Sequence, residues 1–170
     1  MAMVGLFWIT EDAVYLGAEP RGSASGVRFT EDGVEALGTD PGGFWAWDGI
    51  VGIDVDDVPV RSAARRLASM VFDSVVVALT GEGELPPGFT VRLTTGDGMV
   101  EVGVFTAAAG GIYEAVEYEL STAVLGRLAD GGTGLDDLLA WGRDHAAAGT
   151  PDRGEREALL RGWAGDRCAS

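Results

Sequence analysis

The stretch FWITEDAVYL, Phe7 to Leu16, decides how this chain is read, because it returns twenty residues later as VRFTEDGVEAL, Val27 to Leu37. The two share the core Thr-Glu-Asp-x-Val, with Ala13 or Gly33 as the variable residue. In each, apolar and polar residues alternate, reach an acidic four-residue turn and alternate again. Asp at the turn, and Gly33 after the second one, supply residues that tolerate turn backbone. Each unit therefore reads as a β-hairpin. Two hairpins in succession, joined by the polar loop EPRGSASG, predict an antiparallel meander.

Working outward, the next stretch is FWAWDGIVGIDVDDVPV, Phe44 to Val60. Its odd positions carry Trp45, Trp47, Val51, Ile53 and Val55, while Asp48, Asp54 and Asp56 fall on the even positions. A period of two predicts a half-buried strand, with those apolar residues inward and those aspartates in water. A bulge at Gly49 or Gly52 would re-phase the residues after it. Behind Pro59, the residues Val60, Ala64, Leu67 and Val71 recur at helical spacing and predict a short amphipathic helix. SVVVALT, Ser74 to Thr80, is apolar on both faces and reads as a buried strand. FTVRLTT, the turn GDG and MVEVGVFT form a third hairpin.

From Ile112 to Leu128 the apolar positions fit a period of four as well as a period of two. The favoured reading is a strand through Glu119, followed by a helix capped by Ser121. The remainder is helical. Leu135, Leu138, Leu139 and Gly142 form one stripe, behind Asp136 and Asp137 at the dipole-favoured N-terminal end. TPDRGEREALLRGW starts a further helix, with Thr150 as its cap and Pro151 in the first position. The fold class is thus α+β in a single domain of 170 residues, with a β-rich core over 1–130 and a helical C-terminal extension over 131–170.

Composition narrows the function classes. The chain carries 27 acidic residues against 12 basic ones, a net charge of −15, and every basic residue is arginine, which resembles the codon bias of a GC-rich genome. Nucleic acid and anionic lipid are bound by clustered cations, so neither is an expected partner; the expected partner is another protein, and if the charge implies a kind, it is a basic one. A high net charge also serves solubility alone. Cys168 is the single cysteine, which leaves no internal disulfide, and no apolar run is long enough to span a membrane. MAMVGLFWITED lacks a basic leader segment, so the expected location is the cytoplasm.

The chemistry the residues permit is limited. His145 is the only histidine, at the end of an expected helix, where a cation complements the dipole. A nucleophile–histidine pair has poor material, and a G-x-S-x-G elbow is missing. No cofactor is expected, because a lysine-bearing phosphate loop and a G-x-G-x-x-G between strand and helix are both lacking. Asp54, Asp56 and Asp57 are weak candidates for a hard cation, without calcium-loop spacing. Arg61, Arg65 and Arg66 form the one basic cluster before the tail, either balancing those aspartates locally or binding an anion or acidic peptide. No catalytic residue is assigned. A carboxylate enzyme stays open as an alternative, since so many acids guarantee some proximity.

With these residues in view, Val4 to about Asp130 resembles the bacterial pleckstrin-homology-like domains. The resemblance rests on ITEDAVYL, VRFTEDGVEAL and the Trp-Asp-x-Ile-Val step in WDGIVGIDV, followed by further hairpins and a helix. It implies a strongly bent antiparallel sheet or split barrel closed by a helix. It also implies a module that binds proteins, peptides or lipid headgroups and rarely catalyses. At the ligand end this chain carries Arg21 but otherwise Glu11, Asp12, Glu31 and Asp32, which departs from a basic phosphoinositide pocket. The expected function is a non-enzymatic interaction module, with an acidic inhibitor or immunity-type protein for a basic partner as the alternative.

Overall fold

The computed structural model describes residues 1–20, 24–38, 43–61, 88–107, 113–132 and 134–165. The two echoed units are hairpins: β2 (Phe7–Ile9) with β3 (Val14–Leu16), and β4 (Gly26–Thr30) with β5 (Gly33–Leu37). The threonine is what the echo preserves. Thr10 Oγ1 accepts from the Ala13 N–H at 3.0 Å, and Thr30 Oγ1 accepts from the Gly33 N–H at 3.2 Å, each closing its own turn. With β1 (Ala2–Val4) and β6 (Gly43–Ala46) these strands make a six-stranded antiparallel meander. Its register lines up Ala2, Ile9, Val14, Phe29, Val34 and Trp45 on the inner face.

A second sheet faces the same core. It has the order β10–β9–β7, from β7 (Ile50–Asp56) and the third expected hairpin, β9 (Gly88–Thr95) with β10 (Gly98–Phe105). Phe89, Val91, Leu93, Val102 and Val104 are buried in one core with Phe7, Phe29 and Trp47. Burying each such side chain contributes about 1.5–3 kcal/mol. A short parallel pair joins β8 (Val60–Arg61) to β11 (Tyr113–Glu114). Three helices follow: α1 (Ala115–Ala129), α2 (Leu135–His145) and α3 (Arg153–Trp163). Among the described residues, no helix is long and apolar enough to cross a membrane.

Several expectations need correction. Phe44 to Asp56 is two strands in two sheets, broken by a single 3-10 turn at Trp47–Gly49. The turn lets Trp47 bury its ring on Phe29, 5.9 Å between centroids, while its indole N–H bonds to Thr30 O at 2.8 Å. The register then slips between Ile50 and Gly52, which makes Val51 a bulge, 68% exposed instead of inward. Ile53 is buried as expected, and Trp45 and Val55 are half-buried against the core. Val60 and Arg61 are extended, not helical. The rest of that expected helix and the strand over Ser74 to Thr80 lie outside the described residues.

The strand expected through Glu119 ends at Glu114, and the helix begins at Ala115 rather than after Ser121. Its buried face is Glu117, Ser121, Val124, Leu125 and Leu128, so Ser121 sits mid-helix and caps nothing. Of the apolar positions expected at period four, Val124 and Leu128 are buried, but Val116 and Leu120 are only half-buried. Polar residues hold the inner face because both find partners on distant elements, Glu117 on Arg156 and Ser121 on the Leu6 amide. In α3 the cap is Asp152, whose carboxylate accepts from the Glu155 N–H at 2.9 Å. Thr150 instead accepts from the Met3 N–H at 3.0 Å. The α2 stripe of Leu135, Leu138, Leu139 and Gly142 is buried as expected.

Candidate functional site

The meander fixes where the acidic turns lie. In an antiparallel sheet alternate connections share an end, so the turns after β2 and β4 and the crossover after β6 emerge together. The register places them side by side, with Ile9 opposite Val14, Val14 opposite Phe29, and Gly33 opposite Ala46. Ile50 pairs with Thr95, which brings the β9–β10 turn to the same end. Glu11, Asp12, Glu31, Asp32, Asp48 and Asp97, all exposed, crown these four connections.

Contacts with neighbouring elements brace much of this end. Trp47 ties the crossover to the β4–β5 turn through Thr30 O. Its ring also lies under Gly132, where a Cβ would come to 3.0 Å from the indole. Gly142 of α2 packs so closely on the first turn that a Cβ there would meet Thr10 O at 2.4 Å. The carboxylates of the β2–β3 turn, the β4–β5 turn and the crossover therefore project from backbone packed against neighbouring elements. Such an array raises the local negative potential and attracts positive charge.

The aspartates of β7 lie elsewhere, on the outer face of the second sheet. The register sets Asp54 beside Arg92 and Arg92 beside Glu101. Arg92 Nη2 lies 2.6 Å from Asp56 Oδ2 and 3.5 Å from Glu101 Oε1. Asp54 is exposed as expected, but Asp56 is half-buried in this ion pair. Asp57 leaves the row at the strand end, with φ +59°. Among the described residues, no group of three or more His, Cys, Asp or Glu is arranged to hold a metal ion.

At the opposite end from the acidic turns, the second sheet borders an open cleft of about 400 Å³, between Asp57, Thr90, Gly103, Phe105 and Ser25. Ser25 Oγ donates to Gly103 O at 2.5 Å, and the Ala18 N–H donates to Phe105 O at 2.7 Å. These bonds tie the β3–β4 connection to the end of β10.

Of the expected basic patch, Arg61 is placed by its backbone opposite Glu114, and Arg65 and Arg66 lie outside the described residues, as does Cys168. His145 is exposed at the end of α2, stacked flat on Trp141 with 5.4 Å between ring centroids. On the outer face of the first sheet, Arg28 pairs across the strands with Glu35. The hydrogen bond to Glu35 raises the Arg28 pKa above its ordinary value, outweighing the opposing effect of burial.

The polar group that sequence reasoning missed is internal. Arg156 Nε donates to Glu117 Oε1 at 2.8 Å, and Arg156 also donates to Pro151 O at 2.8 Å. Ser121 Oγ accepts from the Leu6 N–H at 3.1 Å. One turn before Glu117 and Arg156, Glu114 and Arg153 approach to 3.9 Å, so matching charges at i and i+3 bind α1 to α3. The visible signal was a polar pair four residues apart, Glu117 and Ser121, heading the apolar positions Val124, Leu125 and Leu128.

Compared with family models, with curated proteins and with solved structures, the chain finds no match.

Proposed function

We propose that this chain is a binding module, built as a pleckstrin-homology-like pair of sheets with a closing helix, that docks a basic partner protein through its acid-tipped end. The observation that carries the reading is the convergence of Glu11, Asp12, Glu31, Asp32, Asp48 and Asp97 on four adjacent connections. The fold assignment is supported by the order of elements: a meander, a three-stranded second sheet, then α1 packed along β7. The module works in the cytoplasm, without a cofactor, and its contact is electrostatic in approach. An acidic inhibitor that neutralises a basic toxin or nuclease is the specific form favoured by so large a surplus of negative charge.

Affinity capture from the source lysate, followed by kinetics on the captured protein, tests the reading. The variant Glu11→Gln, Asp12→Asn, Glu31→Gln, Asp32→Asn should fold normally and lose capture. Association of the native chain should slow steeply as salt rises. Capture insensitive to both changes overturns the proposal. So does a reproducible small-molecule turnover that a single cleft substitution abolishes.

A further inference from the structure

Among the described residues, β10 is an edge of the second sheet: bonded to the β3–β4 connection at Gly103 and Phe105, it has no strand partner beyond β9 at Met99 and Glu101, beside a cleft. In β10 the carbonyls of Gly103 and Phe105 point away from β9, since they accept from Ser25 and Ala18. Antiparallel pairing alternates residue by residue, so Met99 and Glu101 turn their N–H and C=O groups to that same edge. The two-residue turn between Thr95 and Gly98 gives the same phase independently. No hydrogen bond among the described residues occupies the backbone of Met99 or Glu101. Their side chains are exposed, Met99 at 57%, on the face that carries Asp54, Asp56 and Arg92.

We propose that this edge takes an extended basic segment of a partner protein by strand addition, with one long cationic side chain entering the cleft between Asp57 and Phe105. The inference rests on the reading of the chain as a module for basic partners, and adds a second contact along β10. The charge fits: Asp54, Asp56 and Glu101 flank the Arg92 guanidinium on this face, and Asp97 and Asp57 stand at its two ends. The cleft fits an ammonium or guanidinium. Asp57 supplies the counter-charge, Phe105 offers a ring 40% exposed, and the hydroxyls of Ser25 and Thr90 line the walls. Gly103 leaves the floor open, because it sits on the outer face without a side chain. Asp57 is also the one non-glycine among the described residues with a left-handed backbone, a strain that is retained at ligand sites. A second copy of this chain is a poor occupant, since its net charge of −15 repels itself.

The probe is a capped peptide of alternating valine and arginine, compared with the same peptide methylated on every second backbone nitrogen. Charge is identical in the two; only the second cannot pair as a strand. The expected result is binding of the first, at least about tenfold tighter than the second, with amide shifts concentrated at Met99, Glu101 and Gly103. Gly103→Val narrows the cleft floor, where an added Cβ meets only Ser25 Oγ, at 3.9 Å, and should weaken the first peptide about tenfold. Asp57→Asn keeps a residue that tolerates the left-handed backbone and should weaken it by a similar factor. Absence of binding, equal affinity for both peptides, or shifts confined to the acidic turns overturns strand addition. Equal affinity with capture still lost on neutralising the turns leaves the basic-partner reading standing. A dimer of the chain that Glu101→Pro dissociates assigns the edge to self-association and also overturns the proposal.

Discussion

Replacing Glu117 with leucine should strand a buried cation. Glu117 is 1% exposed and the Arg156 side chain 16% exposed, so neither charge can relax fully into water. Removing one partner of a buried ion pair costs about 3–5 kcal/mol. Arg156 keeps its bond to Pro151 O and some access to solvent, which places the loss near the low end, about 3 kcal/mol. For a chain of this size that lowers Tm by about 6–12 °C. Arg156→Met should cost a similar amount, for the mirror reason. The double variant, with an apolar pair of similar volume, should return to within about 1 kcal/mol of the native chain. Urea unfolding followed by tryptophan fluorescence reads all four corners of the cycle, provided the m-value is unchanged. Single losses below about 0.5 kcal/mol that simply add in the double variant would refute the buried clamp.

Three further outcomes rest on named contacts. Gly5→Ala should cost more than about 2 kcal/mol in the same assay, because φ is +59° and the new Cβ would lie 2.2 Å from Ser121 Oγ; Gly126→Ala, with open space around it in α1, should stabilise by about 0.5–1 kcal/mol. Trp47→Ala should cost about 3–5 kcal/mol and Asp54→Ala no more than about 0.5 kcal/mol, and the reverse order would mean that the β7 aspartates are a site of their own. Asp152→Ala should lose about 1 kcal/mol and fray the start of α3 by amide exchange, whereas Thr150→Ala should leave α3 intact and release protection at Met3.

The hairpins were legible because their information is local. Thr10 and Thr30 close turns with residues three positions away, and alternation announces the faces of β4, β5, β9 and β10. The acidic turns were legible as residues; that they share one end comes only from the register of the whole meander. What failed was whatever depended on a distant partner. Glu117 and Ser121 belong inside only because Arg156 and the Leu6 amide come to meet them, 39 and 115 residues away. Thr150 looks like a cap until Met3 claims its hydroxyl and Asp152 takes the role. The break at Trp47 obeys the same rule, since the indole turns the chain to reach Thr30 O, 17 residues back.

The bonds from Leu6 to Ser121 and from Met3 to Thr150 also set a timetable. They span 115 and 147 residues of sequence. At a synthesis rate of about 5–20 residues per second, the amides of β1 and of the turn after it wait roughly 6–30 s for their partners to leave the ribosome. During that interval the β1 edge is an open template, held by a three-residue strand too short to be stable alone. Native topology here is completed from the C-terminal side backwards, with α1 and the segment before α3 sealing what was made first. Chains released before α3 is synthesised would expose that edge to one another, so premature termination should yield aggregates rather than a smaller folded protein.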